Sequence, residues 1–242
     1  MLEGMYSAAA GMAAQQQRID ALSNDLANVN TTGYKRVRVA FRDLLYTPTG
    51  PGAARGVGSG AGAAAVQVGR SSEEGTIQQT DRPLDLALDG SGYLEVTDAN
   101  GRRLLTRDGS LQRRPNGRLV TSTGADTGIT VPAGVADDQV SIGPDGTVRA
   151  GNRSLGRLRL VDVRAPEGLQ AQGDNLFLPT AASGAPVAAR GTTVQQHVLE
   201  GANVDLAGAM TDLIDAQRGY EMASKAITTQ DRLMEIANGV KR

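Results

Sequence analysis

The chain has 242 residues, including 31 glycines, no cysteine, no tryptophan, two phenylalanines and five tyrosines, and a formal net charge of −1. That length accommodates one or two domains, and so few aromatics argue for thin layers and extended segments rather than one large core. The absence of cysteine excludes disulfides and thiolate metal sites, and the near-neutral charge supplies no overall attraction to nucleic acid or acidic membranes.

No apolar run reaches the length of a membrane span. The opening Met1-Leu2-Glu3-Gly4 carries neither a basic n-region nor an apolar h-region, so a cleaved secretory signal is not expected. Met5, Met12, Ile19 and Leu26 then recur every seven residues, and Ala8, Gln15, Leu22 and Val29 follow each by three. This a/d pattern predicts a helix over residues 1–30. It is marginal by itself, because the run is rich in Ala, Gly and Gln and Gly11 costs roughly 1 kcal/mol relative to Ala. The segment from Ser23 to Lys35 ends it, with Asn24, Asn28, Asn30, Thr31 and Gly33 as stop signals.

Residues 47–70 are dominated by Gly, Ala, Ser and Pro and read as an extended or flexible connection. From Gly69 to about Thr193 the pattern changes to short alternating runs such as Leu84, Leu86, Leu88 and Leu94, Val96. Asp89-Gly90, Asn100-Gly101, Asp108-Gly109, Asn116-Gly117 and Asp145-Gly146 punctuate them as hairpin turns. At the C-terminal end Leu206, Leu213, Tyr220, Ile227 and Met234 form a second heptad series, paired with Ala209, Ala216, Ala223, Gln230 and Ala237. A helix over 203–238 is predicted, capped by Asn203, with Asp205 in its first turn, Asn238-Gly239 as its stop and Lys241 and Arg242 beyond. Its length of roughly 54 Å needs a partner, and the first heptad helix is the candidate.

The expected fold is mixed α and β: terminal heptad helices pairing as a coiled coil, with an all-β antiparallel domain between them. The expected boundaries are 1–35 with 200–242 for the helical domain, 36–80 for the connecting segment and 81–199 for the β-domain.

A search for chemistry yields little. His197 is the only histidine, and no Gly-x-Ser-x-Gly elbow accompanies it. Asp137-Asp138 and Glu73-Glu74 are adjacent pairs whose side chains would point opposite ways on a strand. The Gly90-Ser91-Gly92 motif lacks a following Lys-Ser/Thr and a helix, so it reads as a turn. Arg102, Arg103, Arg107, Arg113, Arg114 and Arg118 read as a solvated hairpin face, partly balanced by Asp98 and Asp108, without interleaved aromatics for base stacking. No cofactor, metal, nucleic acid or small-molecule substrate is expected.

The run from Ser23 to Arg36, SNDLANVNTTGYKR, resembles the N-terminal signature of bacterial flagellar rod and hook proteins. The match is carried by Asn24, Leu26, Ala27, Asn28, Asn30, Thr31, Gly33, Tyr34 and Lys35, and continues in Phe41 to Tyr46. The C-terminal run 199–237 is similar to the same family at Glu200, Asn203, Val204, Asp205, Met210, Ile214, Gln217, Arg218, Tyr220, Glu221, Lys225, Ile227 and Asp231. Residues 83–96 and 104–124 resemble its β-domain, with Tyr93-Leu94 where two aromatics are usual. Within the family the distal-rod branch is the nearest, through residues 215–221, and the proximal rod is the alternative.

The resemblance implies a structural subunit of a helical polymer, not an enzyme. It implies assembly through the helix seam (Met5, Met12, Ile19, Leu22, Leu26, Val29, Leu206, Leu213, Tyr220, Ile227, Met234). Implied partners are other rod and hook proteins, and ring-forming bushing proteins where an outer membrane exists. Implied location is the basal body outside the cytoplasmic membrane, reached through the flagellar type III apparatus. The rival from another class is a soluble β-domain binding module dimerised by its terminal helices. Open-ended polymer favours the first reading and a closed dimer the second.

Overall fold

A computed structural model describes residues 2–44, 47–48, 58–60 and 62–239. Leu45 and Tyr46, residues 49–57 of the Gly/Ala-rich stretch, and Lys241 and Arg242 lie outside the described residues. The chain divides into two compact units: Met1–Ala27, Val37–Val68 and Asp205–Arg242 in one, Asn28–Arg36 and Gly69–Val204 in the other. Residues 28–35 and 200–204, expected with the helices, thus group with the β-strands.

The first unit holds two helices, α1 (Leu2–Ala27) and α2 (Leu206–Gly239). They run antiparallel. Gly4 lies against Gln230 and Gly219 against Gln15, while Arg18 pairs with Asp212 at 2.7 Å. The seam residues Met5, Met12, Ile19, Leu22, Leu26, Leu213, Ile227 and Met234 are half-buried, and Ala216 is fully buried. Small residues at one seam position let the two backbones approach. A second stripe of α1 is also covered: Ala14 is buried, and Ala10 and Ser7 touch Gly62. Strand Val37–Asp43 pairs with Ala63–Arg70, and Thr47–Pro48 with Gly58–Ser59.

The second unit is antiparallel in every registered pair. Its largest sheet runs Gln170–Gly173, Leu176–Leu178, Arg103–Thr106, Tyr93–Thr97, Asp126–Thr130, Arg118–Thr121, Leu111–Arg113, with Leu160–Asp162 also on Tyr93–Thr97 and Val187–Ala188 beyond it. Val140–Ile142, Thr147–Ala150 and Arg153–Arg157 make a three-stranded sheet. Two further pairs close the unit, Leu86–Asp89 with Thr193–Gln196 and Ile77–Gln79 with Val198–Glu200.

Alternation along the strands fills two cores. Leu94, Val96 and Leu104 point into the larger one with Leu86, Leu111, Leu119, Val131, Val148, Leu158 and Val194. Tyr93 and Leu105, their neighbours in sequence, point into the smaller one with Val161, Val163 and Phe177.

The Gly101, Gly117 and Gly146 N–H groups each close a turn on the carbonyl three residues back. Asp89-Gly90 and Asp108-Gly109 differ from their expected role: the first links Leu86–Asp89 to Tyr93–Thr97, which lie in different sheets, and the second is a strand tie. The Gly109 carbonyl accepts the Leu86 N–H, so the dipeptide ties two strands rather than turning a hairpin.

The helix ends also differ. α1 stops at Ala27, before Val29, which lies half-buried in the following turn. α2 starts at Leu206, and its cap is Asp205, whose carboxylate accepts the Ala207 and Gly208 N–H groups at 3.2 Å each. Asn203 is engaged elsewhere: its Oδ1 accepts the Arg36 N–H at 2.7 Å and its Nδ2 donates to the Glu73 carbonyl. Asp205→Ala therefore weakens the start of α2 by about 1 kcal/mol, read as faster amide exchange across residues 206–212. Asn203→Ala leaves those amides unchanged.

Candidate functional site

The Asn30–Arg36 segment is held residue by residue within the β unit. The Thr32 carbonyl accepts the Asn175 side-chain amide at 2.7 Å. Gly33 donates its N–H to the Glu200 carbonyl at 2.7 Å and has φ +66°; a Cβ there would meet the Arg107 carbonyl oxygen at 2.5 Å. Both the backbone conformation and the space therefore require glycine. Tyr34 is buried beneath the Arg70 guanidinium, 5.0 Å from its ring centroid, and the same guanidinium lies 5.7 Å from the Phe177 ring. Arg70 also donates to the Lys35 carbonyl at 2.7 Å. The Tyr34 carbonyl accepts the Asn203 N–H, and the Arg36 carbonyl the Ser71 N–H. Upstream, the Asn28 carbonyl accepts the Thr31 N–H and its Oδ1 accepts the Thr31 hydroxyl at 3.2 Å.

At the centre lies a buried charge cluster. Lys35 Nζ donates to Glu200 Oε1 at 2.6 Å and to the Glu73 carbonyl at 2.5 Å. Arg107 donates to Glu200 Oε2 at 3.0 Å and to the Gly90 carbonyl, with its guanidinium 5.7 Å from the Tyr93 ring centroid. The Gly75 N–H donates to Glu200 Oε1 at 2.9 Å. The three charged side chains are only 2–3% exposed.

Burial raises the carboxyl pKa of Glu200, but Arg107, Lys35 and the Gly75 N–H together hold it below the ordinary glutamate value. Burial pushes Lys35 below the ordinary lysine range, with Glu200 opposing. Burial raises Tyr93. The arrangement is a clasp joining three distant stretches of chain.

Arg107 thus departs from the expected solvated face. Its neighbours are on the surface: Arg102 pairs with Asp98, Arg103 approaches Glu95, Arg118 pairs with Asp126, and the half-exposed Arg113 pairs with Asp137. Among the described residues Asp108 pairs with none of them. It is buried and accepts the Ser110 N–H and the Ser122 hydroxyl. His197 is exposed, with φ +65° and its backbone bonded to Asp85 and Thr80. Among the described residues no group of three or more His, Cys, Asp or Glu could hold a metal, and no helix is long and apolar enough to cross a membrane.

Of the motif residues, Gly33, Tyr34 and Lys35 converge on the clasp, whereas Asn24 and Asn30 are exposed. Sequence reasoning missed Arg70, Arg107 and Asn175 as parts of this site. In the first unit, Leu206 and Tyr220 of the seam remain partly exposed, and Met210, Ile214, Met222, Leu233 and Ile236 on α2 are half or more exposed.

Three sequence-family models match: a flagella basal body rod protein model over residues 5–35, the D1 domain of flagellar hook protein FlgE/F/G over 87–150, and the C-terminal model of flagellar basal body rod FlgEFG proteins over 195–240. The flagellar basal-body rod protein FlgG of Caulobacter vibrioides is 38% identical, over 99% of this chain and 100% of its own. The FlgG proteins of Borreliella burgdorferi and Bacillus subtilis are 36% and 35% identical, each over 100% of both chains.

Glu200→Gln leaves two buried cations without their counter-charge and lowers the unfolding free energy of the β unit by about 3–5 kcal/mol, measured by urea denaturation. The sign of the pH dependence follows from the depressed Glu200 value. The carboxylate's contribution is present above the unfolded value of about 4.3 and is lost as pH falls through the folded one. Glu200→Gln flattens that acid limb. Gly33→Ala costs about 1–3 kcal/mol, because the left-handed conformation must be kept or the Arg107 carbonyl displaced; thermal unfolding measures it.

Proposed function

This chain belongs to the flagellar basal-body rod protein family, and from that premise we propose that it is a distal-rod subunit which polymerises with its own copies into a helical tube that transmits torque. It is a structural component rather than an enzyme, as full-length relatives named rod proteins indicate.

The observation that carries the mode of assembly is the apolar surface of α2 that α1 leaves exposed. Met222, Thr229 and Ile236 are seven apart, and Ala226 and Leu233 fall four after the first two. Met222, Leu233 and Ile236 are 58–67% exposed. This is a second heptad seam, roughly a third of a turn around the helix from the one facing α1. Arg218, Lys225 and Arg232, also seven apart, run along its flank.

A helix with two seams packs between two neighbours. Such heterologous contacts, when they do not close into a ring, continue as a helical filament. In that filament α1 and α2 act as a coiled coil whose outer face completes its burial on other copies. The same reading gives the subunit proximal-rod and hook proteins as end neighbours, and bushing-ring proteins around it where an outer membrane exists. It also gives export through the flagellar apparatus and residence in the basal body.

Leu213→Asp puts an unpaired carboxylate between α1 and α2, at a cost of about 3–5 kcal/mol, and removes both monomer helicity and polymer. Leu233→Asp leaves monomer helicity intact by circular dichroism and abolishes polymer in sedimentation and electron microscopy. Rods built from Leu233→Asp subunits in normally swimming cells would overturn this contact. Imaging of basal bodies carrying a tagged copy tests the distal position.

A further inference from the structure

Lys35 and Arg107 converge on one buried point, and among the described residues the side-chain carboxylate bonded to both is that of Glu200. The nearby acids are committed elsewhere. Glu73 is exposed and its carboxylate engages Arg36 and Ser71, while the Glu74 carboxylate accepts the Gly90 N–H. We infer that Lys35 and Arg107 form an internal carboxylate receptor for this chain's own Glu200, and that the receptor makes docking of residues 28–36 conditional on the prior arrival of residues 193–201.

Without Glu200, docking residues 28–36 would bury the Lys35 cation beside the Arg107 cation with no carboxylate between them, and unpaired buried charges are strongly disfavoured. The backbone reinforces the condition, since the Gly33 N–H has the Glu200 carbonyl as its acceptor. Glu200 reaches the receptor only when Thr193–Gln196 has paired with Leu86–Asp89 and Val198–Glu200 with Ile77–Gln79. Val194, buried in the main core, drives that pairing. The Lys35–Glu200 contact spans 165 residues, so its loop closure is among the last that folding rewards. The order is β core, then residues 193–201, then residues 28–36. A chain that ends before residue 193 therefore keeps its N-terminal segment undocked, which makes the clasp a report that residues 193–201 are present and paired. This inference concerns folding within one subunit and stands apart from the assembly reading.

Pulse-labelled amide exchange during refolding of the full chain from urea, resolved by peptide mass spectrometry, tests it. Residues 104–131 gain protection first, residues 193–201 next, and residues 28–36 with them or later. In full-length Glu200→Gln, residues 28–36 gain protection slower by an order of magnitude or more, while residues 104–131 keep their rate; Glu73→Gln leaves the order unchanged. Protection of residues 28–36 before 193–201 in the wild type overturns the inference. So does protection of 28–36 at the wild-type rate in Glu200→Gln. Should Glu200→Gln fail to fold, the order of events in the wild type decides alone.

Discussion

One carboxylate with two buried cations holds the β unit closed. Glu200 uses Oε1 for Lys35 and the Gly75 N–H and Oε2 for Arg107, so both of its oxygens are engaged. Three charges at this depth carry a desolvation cost close to their mutual attraction, and a well-packed apolar trio of equal volume would hold the fold as strongly. What an apolar trio lacks is selectivity. Leu, Val and Ile interchange at modest cost, whereas a misregistered strand that leaves Lys35 or Arg107 unpaired is heavily penalised. The cluster therefore sets which strand lies where. Gly75 reinforces the choice: a Cβ there would meet the Gly201 carbonyl oxygen at 1.9 Å, so this close approach of the two chain segments requires glycine at 75.

The same economy explains where the aromatics went. Of the seven in the chain, Tyr34, Tyr93 and Phe177 surround the clasp. Tyr93 and Phe177 meet edge to face at 6.2 Å, and Arg70 and Arg107 lie within 6 Å of their rings. Aromatic faces give a buried guanidinium an electrostatic partner that carries no competing charge. The main core needs none of this, because Leu and Val on alternating strands fill a thin layer. Bulk is concentrated where charge must be shielded.

How legible this was in the sequence depended on the range of the signal. The two helices were legible, because a heptad is a local pattern repeated four or five times. The hairpin region was legible from Asn100-Gly101, Asn116-Gly117 and Asp145-Gly146, whereas Asp89-Gly90 and Asp108-Gly109 misled because the same dipeptide also serves where the chain passes from one sheet or strand pair to another. The Asn30–Lys35 motif was legible as a family resemblance, but its reasons were not. The cause of Gly33 is the Arg107 carbonyl, 74 positions away, and that of Lys35 is Glu200, 165 positions away. Arg107 sits among six arginines in seventeen residues, and nothing local separates the one that is buried from the five that are not. Asn203 was read as a cap because capping is the local use of asparagine, and its long-range bond to Arg36 took precedence.

The two units thus differ in kind. In the β unit every element of the clasp finds its partner within the chain, down to single N–H groups. In the helical unit α1 is covered on two sides, yet α2 keeps a whole apolar stripe exposed along its second half. A polar substitution on that stripe would make the lone subunit more soluble, so its retention points to a use outside the monomer. The division has a physical logic. On the proposed assembly, a subunit that folds before it polymerises needs one part that is complete and selective, and another that is held unfinished until a neighbour arrives. Residues 28–36 and 201–204 join the two by belonging to the complete part while leading directly into α1 and α2. The helices themselves need only small residues and a shallow stripe to be ready for what they pack against.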